Sequence, residues 1–230
     1  MSGVGDLRVL SYNVRSLRDD RRAVARVIRA CTPDVVCVQE APRFLFWRRQ
    51  CRALAAASGL VMVTGGRPAA AMAVLARPDL PVADVDDVRL TKVPRLHQRG
   101  LAIAVLEAFG GRVTVVSMHL DLDGQQRRRH AGEVLDRLSV YPDPLVVAGD
   151  VNEEPGGPAW SVLTDRLQDA YAVAPAGDGE TIPAARPDRR IDGIFVDRRL
   201  RVLSCGVPDL PELARASDHR PVLAVVAGRN

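Results

Sequence analysis

Two apolar runs, Leu101 to Ala108 and Arg112 to Met118, face each other across Gly110-Gly111. Aliphatic and β-branched residues on both sides of a glycine turn predict a hairpin, and a hairpin is antiparallel. Elsewhere the apolar runs alternate with helical spacing. Leu7 to Val14 is followed by Asp19 to Cys31, where Ala23, Val24, Val27, Ile28 and Cys31 recur at helical intervals before Thr32-Pro33 ends the segment. Strand-helix-strand passages of this kind favour parallel pairing, so a chain that contains both patterns cannot form a purely parallel doubly wound sheet. Further strands are expected at Asp34 to Gln39, Leu60 to Thr64, Ala71 to Ala76, Leu145 to Gly149, Ile191 to Val196, Arg201 to Val207 and Pro221 to Val226. Helices are expected near Arg43 to Ala57, Gln125 to Leu138 and Pro158 to Leu167. About ten strands and about four helices predict an α+β chain with two mixed sheets flanked by helices. Arg77 to Gln98 and Ala172 to Asp188, rich in Pro, Gly or Ala, are expected to be irregular. Neither is long enough to separate two units, so residues 1–230 are expected to form one domain.

Composition narrows the function classes. With 47% hydrophobic and 26% charged residues, a large core can be buried, and wholesale disorder or a coiled coil is excluded. No apolar run approaches the roughly 18 residues that span a bilayer, and Met1 to Asp6 carries no basic stretch leading into an apolar one. The expectation is a cytoplasmic monomer without a membrane span. The net charge of +4 invites an anionic partner. Yet the basic residues are all arginine except Lys92, in a chain rich in alanine, a bias that composition alone produces. Arg127-Arg128-Arg129 reads as a solvated helix face. Cys31, Cys37, Cys51 and Cys205 form no C-x-x-C pair, which predicts buried thiols rather than a zinc site or a disulfide framework.

The chemical signal is positional. Asn13, Glu40, His119, Asp150, Asn152, Asp192, Asp218 and His219 each lie at or beside the end of an apolar strand candidate. Each alone has an ordinary reading: Glu40 as a helix-start acid, Asp150 and Asn152 as turn formers before Pro155-Gly156-Gly157, Ser217-Asp218 as a loop opening. Together, carboxylates, amides and two histidines gathered at strand ends are what a hard divalent cation and a phosphate require. Oxygen ligands hold Mg²⁺ or Mn²⁺, and imidazoles donate hydrogen bonds or carry protons. A serine hydrolase is excluded because no G-x-S-x-G precedes a triad, and neither a phosphate-binding glycine loop nor a dinucleotide fingerprint is present.

Six segments carry a family likeness: Leu10-Ser-Tyr-Asn13, Val38-Gln-Glu40, Ser117-Met-His119-Leu, Gly149-Asp-Val-Asn152, Arg190-Ile-Asp192 and Ser217-Asp-His219-Arg-Pro221. In this order, nearly end to end, they resemble the endonuclease/exonuclease/phosphatase superfamily of metal-dependent phosphoesterases. The resemblance implies a four-layer α/β/β/α sandwich of two stacked mixed sheets with helices outside. It also implies hydrolysis of a phosphodiester or phosphomonoester by in-line attack of an activated water, with nucleic acid among the substrates. By the same resemblance Glu40 is the main ligand of Mg²⁺ or Mn²⁺, helped by Asn13, with Asp218 as a second metal-side carboxylate. Asp150 and Asn152 position the attacking water and the phosphate, His219 sits beside the phosphate with Asp192 orienting it, and His119 contacts the phosphate from the other side. In a deoxyribonuclease-like site His119 also has a glutamate partner from an earlier strand. Here that stretch, Ala69 to Val74, holds no acid, so a second histidine-carboxylate pair is not expected. Two other readings compete: a DNA endonuclease or exonuclease with a deoxyribonuclease-like or abasic-site-like activity, and a non-catalytic phosphoester-binding module that keeps the sandwich.

Overall fold

The computed structural model describes residues 5–229. One sheet contains β1 (Asp6–Asn13), β2 (Val35–Gln39), β3 (Val61–Gly66), β4 (Met72–Ala76), β11 (Leu200–Gly206) and β12 (Val222–Gly228), in the order β11-β12-β1-β2-β4-β3. The second contains β5 (Val82–Arg89), β6 (Gly100–Ala108), β7 (Gly111–His119), β8 (Leu145–Asp150), β9 (Gln168–Asp169) and β10 (Asp192–Val196), in the order β5-β6-β7-β8-β10-β9. Each sheet is mixed: β1 and β2 pair in parallel, as do β7 and β8, while their other neighbours run antiparallel.

Three apolar clusters define the layers. One lies between the sheets and includes Val9, Val74, Ala104 and Val146. A second seals the outer face of the first sheet under α1 (Arg21–Cys31) and α2 (Trp47–Ala57), and the third seals the second sheet under α3 (Gly124–Leu138) and α4 (Pro158–Arg166). The short helices α5 (Ala170–Val173) and α6 (Leu213–Ala216) complete the set. The arrangement is the expected α/β/β/α sandwich. α1 forms where the sequence predicts because Asp20 caps it, accepting from the backbone N–H of Arg22 and Ala23, while Thr32 closes it in the left-handed region.

The two-residue period of the strands explains where the polar residues go. Leu7, Val9, Ser11 and Asn13 share the inward face of β1; Val113, Val115, Ser117 and His119 share that of β7. The inward face of β8 runs Val146, Ala148, Asp150, and that of β10 runs Val196, Ile194, Asp192. In each strand the apolar positions fill the space between the sheets and the last inward position is polar. The core ends where these polar residues begin, at one end of the sandwich.

Three local expectations are corrected. The stretch predicted to be irregular, Arg77 to Gln98, contains β5, an edge strand of mostly exposed residues whose Asp84, Asp86 and Asp87 mask it in a reading that looks for apolar periodicity. The hairpin turn falls one residue earlier than Gly110-Gly111: Ala108 pairs with Gly111, and Phe109 (φ +58°) and Gly110 (φ +74°) make the turn. α2 begins at Trp47 rather than Arg43, because Phe46 adopts φ +60° and breaks the helical path.

Candidate active site

Strand register brings the acidic and histidine positions together. His119 on β7 lies opposite Asp150 on parallel β8, and Asp150 lies opposite Asp192 on antiparallel β10. Three residues distant in sequence thus stand side by side on one face. The first sheet supplies Asn13, and Glu40 follows β2. The two sheets are pinned together just behind this point by buried polar contacts. Gln39 Nε2 donates to Ser117 Oγ at 3.2 Å, and Ser117 Oγ donates to the carbonyl of Val38 at 2.9 Å.

Asp150 is the centre of the arrangement. Its Oδ2 accepts from Asn13 Nδ2 at 3.0 Å and its Oδ1 from the backbone N–H of Asn152 at 2.9 Å. Oδ2 also lies 3.4 Å from His119 Nε2 and 3.7 Å from His219 Nε2. Burial and the neighbouring Asp192 push the Asp150 carboxyl up to about 7, against the opposing effects of His219 and the hydrogen bonds from Asn152 and Asn13.

The two histidines have unlike surroundings. His219 Nδ1 is 2.9 Å from Asp192 Oδ2. Burial alone would lower its pKa, but the Asp192 charge and hydrogen bond, followed by Asp150 and Asp218, drive it up to about 10. His119 moves the other way: burial and then the positive charges of Arg99, His219, His97 and Arg43 hold it well below its ordinary value. Its tautomer follows from Asn152. The Asn152 amide donates to the carbonyl of Leu120 at 3.0 Å, so Nδ2 is the atom that also meets His119 Nε2 at 2.9 Å. Nε2 must then accept, which leaves the proton on Nδ1. Among the described residues Nδ1 has no hydrogen-bond partner, as expected from the acid-free stretch Ala69 to Val74.

Glu40 lines a cavity of about 510 Å³ together with His119, Asp150, Asn152 and His219. Its Oε1 is 3.4 Å from Asn13 Nδ2, so one amide reaches both the Glu40 and the Asp150 carboxylates. Asn13 and Asp192 lie behind the cavity lining. Asp218 does not join the group: its Oδ2 is 3.1 Å from Arg15 Nε, and its side chain is 38% exposed. A further set, Asp150, Asp192 and His219, offers ligand atoms all within 4.8 Å of one another. Within it the His219-Asp192 hydrogen bond already uses one oxygen, while Asp192 Oδ1 is buried without a partner. The donors facing the cavity are hard carboxylate oxygens, and among the described residues no arginine pairs with Glu40. This chemistry fits a divalent cation of the Mg²⁺ or Mn²⁺ type.

The cavity wall carries unusual backbone. Ser16, Glu40, Ala70, Ala71 and Asn152 all have φ between +50° and +76°, without being glycine. Such conformations cost on the order of 1 kcal/mol or more each and persist where surrounding contacts hold them. One such contact is the Ser16 N–H donating to the Glu40 carbonyl at 2.9 Å.

Arg99 was not singled out by the sequence. It is 7% exposed, lines the cavity, and sets its Nε 3.7 Å from Asp121 Oδ2, itself buried. The available signal was an arginine directly before the apolar run of β6, a position that period-two patterning treats as a strand end. Arg190, by contrast, lies in one of the likeness segments but points elsewhere. It makes a two-pronged contact with Asp169 at 3.0 and 2.7 Å and is stacked by Trp160 and Tyr171.

Residues 10–219 match the model of the Endonuclease/Exonuclease/phosphatase family. The chain belongs to that family, a class of metal-dependent phosphoric ester hydrolases. Its fold is that of an endonuclease/exonuclease/phosphatase from Bacteroides vulgatus, with TM-score 0.81 and 24% identity over 97% of this chain and 99% of that one. It is also similar to the mannosyl-6-phosphatase Bt3783 of Bacteroides thetaiotaomicron (TM-score 0.78, 19% identity, 96% and 99% covered). A third likeness is to D. rerio TDP2 complexed with a single-strand DNA product (TM-score 0.75, 19% identity, 96% and 98% covered). A search of curated proteins finds no match. The protein is thus a divalent-metal-dependent phosphoesterase that hydrolyses a phosphodiester or phosphomonoester by in-line attack of water, and this reading prevails over the binding-module alternative.

Proposed function

We propose that Asp150 orients and deprotonates the attacking water, that Asn152 and His119 donate hydrogen bonds to the phosphate, and that protonated His219 stabilises the charge developing on a phosphoryl oxygen. The observation that carries this is the convergence on Asp150 at the base of the cavity: two amide contacts fix its carboxylate, and two histidines flank it. To contact phosphate, His119 needs a donor at Nε2, which is met when the Asn152 amide turns from it to the substrate and the proton moves from Nδ1. Asp192 keeps His219 protonated and holds its ring in orientation. Glu40, helped by Asn13, would hold Mg²⁺ or Mn²⁺, with Asp218 reaching the same ion if its pairing to Arg15 opens. When bound, the cation polarises the phosphoryl oxygens. Arg99, at the cavity wall, adds fixed positive charge for the same phosphate.

The similar proteins act on a sugar phosphate and on DNA, as their names say, and the catalytic residues suit both. Phe44 is the one Phe, Tyr or Trp side chain among the described cavity-lining residues, which weakens the deoxyribonuclease-like reading, since stacking of successive bases needs several flat aromatic faces. A small or lipid-borne phosphoester is therefore favoured. We read residues 5–229 as one domain, because both sheets share the central apolar cluster, and as a cytoplasmic monomer. No described helix is long and apolar enough to cross a membrane.

The test is a hydrolysis screen of mannose 6-phosphate, bis(p-nitrophenyl) phosphate, phospholipids and single-stranded DNA, with Mg²⁺, with Mn²⁺ and with EDTA. Metal-dependent release of phosphate or alcohol from at least one non-nucleic substrate is expected. Turnover confined to DNA would restore the nuclease alternative, and turnover unaffected by EDTA would remove the metal-dependent reading.

A further inference from the structure

The rim of the cavity is apolar in a way that catalysis does not use. Phe44, Leu45 and Phe46, three consecutive residues between β2 and α2, are 71%, 76% and 68% exposed. Across the mouth Leu122, from the loop after β7, is 70% exposed, and both Phe44 and Leu122 line the catalytic cavity. Scattered single apolar residues on a surface need no explanation, but three consecutive exposed ones beside a cleft do.

Charge identifies what such a tip can meet. From Ala41 to Ala76 the chain contains no Asp or Glu, while Arg43, Arg48, Arg49, Arg52 and Arg67 fall within it. None of these five arginines takes part in a salt bridge among the described residues, whereas Arg77, just beyond the stretch, pairs with Asp34 and Asp79. Arg43 and Arg67 border a shallow depression of about 500 Å³ whose other walls are Phe44, Leu45, Phe46 and Trp47. The surface is an apolar tip backed by unneutralised guanidinium groups, the pattern that inserts between acyl chains while its cations reach the phosphates.

A single-stranded nucleic acid would also want cations beside open aromatic rings, but Trp47 is buried and Phe44 already faces a guanidinium. The Arg48 guanidinium lies 4.4 Å from the centroid of Trp47, and that of Arg43 lies 5.4 Å from Phe44. The most exposed of the three tip residues is Leu45, which offers no face for a base. We propose that the Phe44-Leu45-Phe46 tip and the arginines behind it dock the protein on an anionic lipid surface, with the mouth of the catalytic cavity at the headgroup plane. That a lipid-borne phosphoester is then the substrate rests on the phosphoesterase reading above; the docking itself does not.

The test is co-sedimentation of the full chain with vesicles of phosphatidylcholine alone and of phosphatidylcholine with phosphatidylserine, at low and high salt. Bound protein is measured rather than product, which keeps the result separate from any failure of the hydrolytic reading. Binding to the anionic vesicles is expected to exceed binding to the neutral ones by roughly tenfold or more and to weaken with salt. Leu45→Ser with Phe46→Asn should reduce it roughly tenfold or more; asparagine is chosen because it tolerates the positive φ of position 46. Arg48→Gln with Arg49→Gln should cause a loss of roughly tenfold. Melting temperatures of both variants should match that of the parent, which shows that the loss is not unfolding. Equal binding to the two vesicle types, or anionic binding undiminished by Leu45→Ser with Phe46→Asn, would overturn the proposal. So would tight binding of a single-stranded oligonucleotide that the same variant abolishes in a protein that ignores vesicles.

Discussion

His219 Nδ1 and Asp192 Oδ2 lie 2.9 Å apart with both side chains buried, whereas the buried Nδ1 of His119 has no partner among the described residues. The same ring is therefore held in two electrostatic states within one cavity. Against its burial, Asp192 drives the His219 pKa up, while burial, followed by Arg99 and the other cations, holds that of His119 down. A charged donor is worth more than a neutral one against a phosphoryl oxygen that gains charge in the transition state.

Replacement of the two histidines should expose that inequality. His219→Ala removes a hydrogen bond and a positive charge, and kcat should fall on the order of 10²-fold or more. Asp192→Asn should reproduce part of that loss, since the ring keeps its place but loses the carboxylate that favours its protonation. His119→Ala removes a neutral donor and should cost roughly tenfold to a hundredfold. The comparison is of kcat at saturating Mn²⁺, and a larger loss for His119→Ala than for His219→Ala would contradict the assignment.

Glu40 and Asp150 should separate metal binding from water activation. Glu40→Gln replaces an anionic oxygen at the rim with a neutral amide, so Mn²⁺ affinity measured by calorimetric titration should drop along with activity. Because Glu40 is only partly buried and unpaired with arginine, its melting temperature should move little. Asp150→Asn should abolish turnover while the titration stays closer to that of the parent. Unchanged Mn²⁺ affinity in Glu40→Gln would remove that residue from the metal site.

The fold was legible because periodicity is local. The inward faces of β1, β7, β8 and β10 are each apolar along most of their length and polar at the end that meets the cavity, and a chain that repeats this pattern declares both its core and the end at which the core stops. β5 was illegible for the complementary reason: an exposed edge strand has no apolar face to show. The positions of Asn13, Glu40, His119, Asp150, Asn152, Asp192 and His219 at strand ends were visible, but their hydrogen bonds were not, since register between β7, β8 and β10 is a tertiary property. Asp218 shows the limit most clearly. Its place beside His219 in sequence says nothing of Arg15, which approaches from more than 200 residues away and takes its carboxylate. Arg99 escaped because one arginine among many carries no signal until burial distinguishes it.

The cysteines provide a test of packing that is independent of catalysis. All four are free and buried, and burial raises their thiols: Cys51 to about 11, Cys31 and Cys205 to about 12, and Cys37 further still. The thiolate is the reactive form, so each is both inaccessible and un-ionised at neutral pH. Ellman's reagent should label none of them rapidly in the native protein and all four after unfolding in guanidinium. Prompt reaction of any one in the native state would show that its helix or strand is not packed as described.

Arg99 calls for a paired experiment, because it is buried against Asp121 and also faces the cavity. Removing a buried cation leaves its partner's charge uncompensated, so Arg99→Met should destabilise the protein by about 3 to 5 kcal/mol, read as a lower melting temperature. If Arg99 also stabilises charge on the phosphate, kcat/KM should fall on the order of 10²-fold as well. The double variant Arg99→Met with Asp121→Asn distinguishes the two effects. With both charges gone, the buried imbalance is relieved and stability should recover much of its loss, while activity should stay low because nothing replaces the guanidinium at the cavity wall. Recovery of activity together with stability would make Arg99 a support for Asp121 alone, with the phosphate met only by Asn152 and the two histidines.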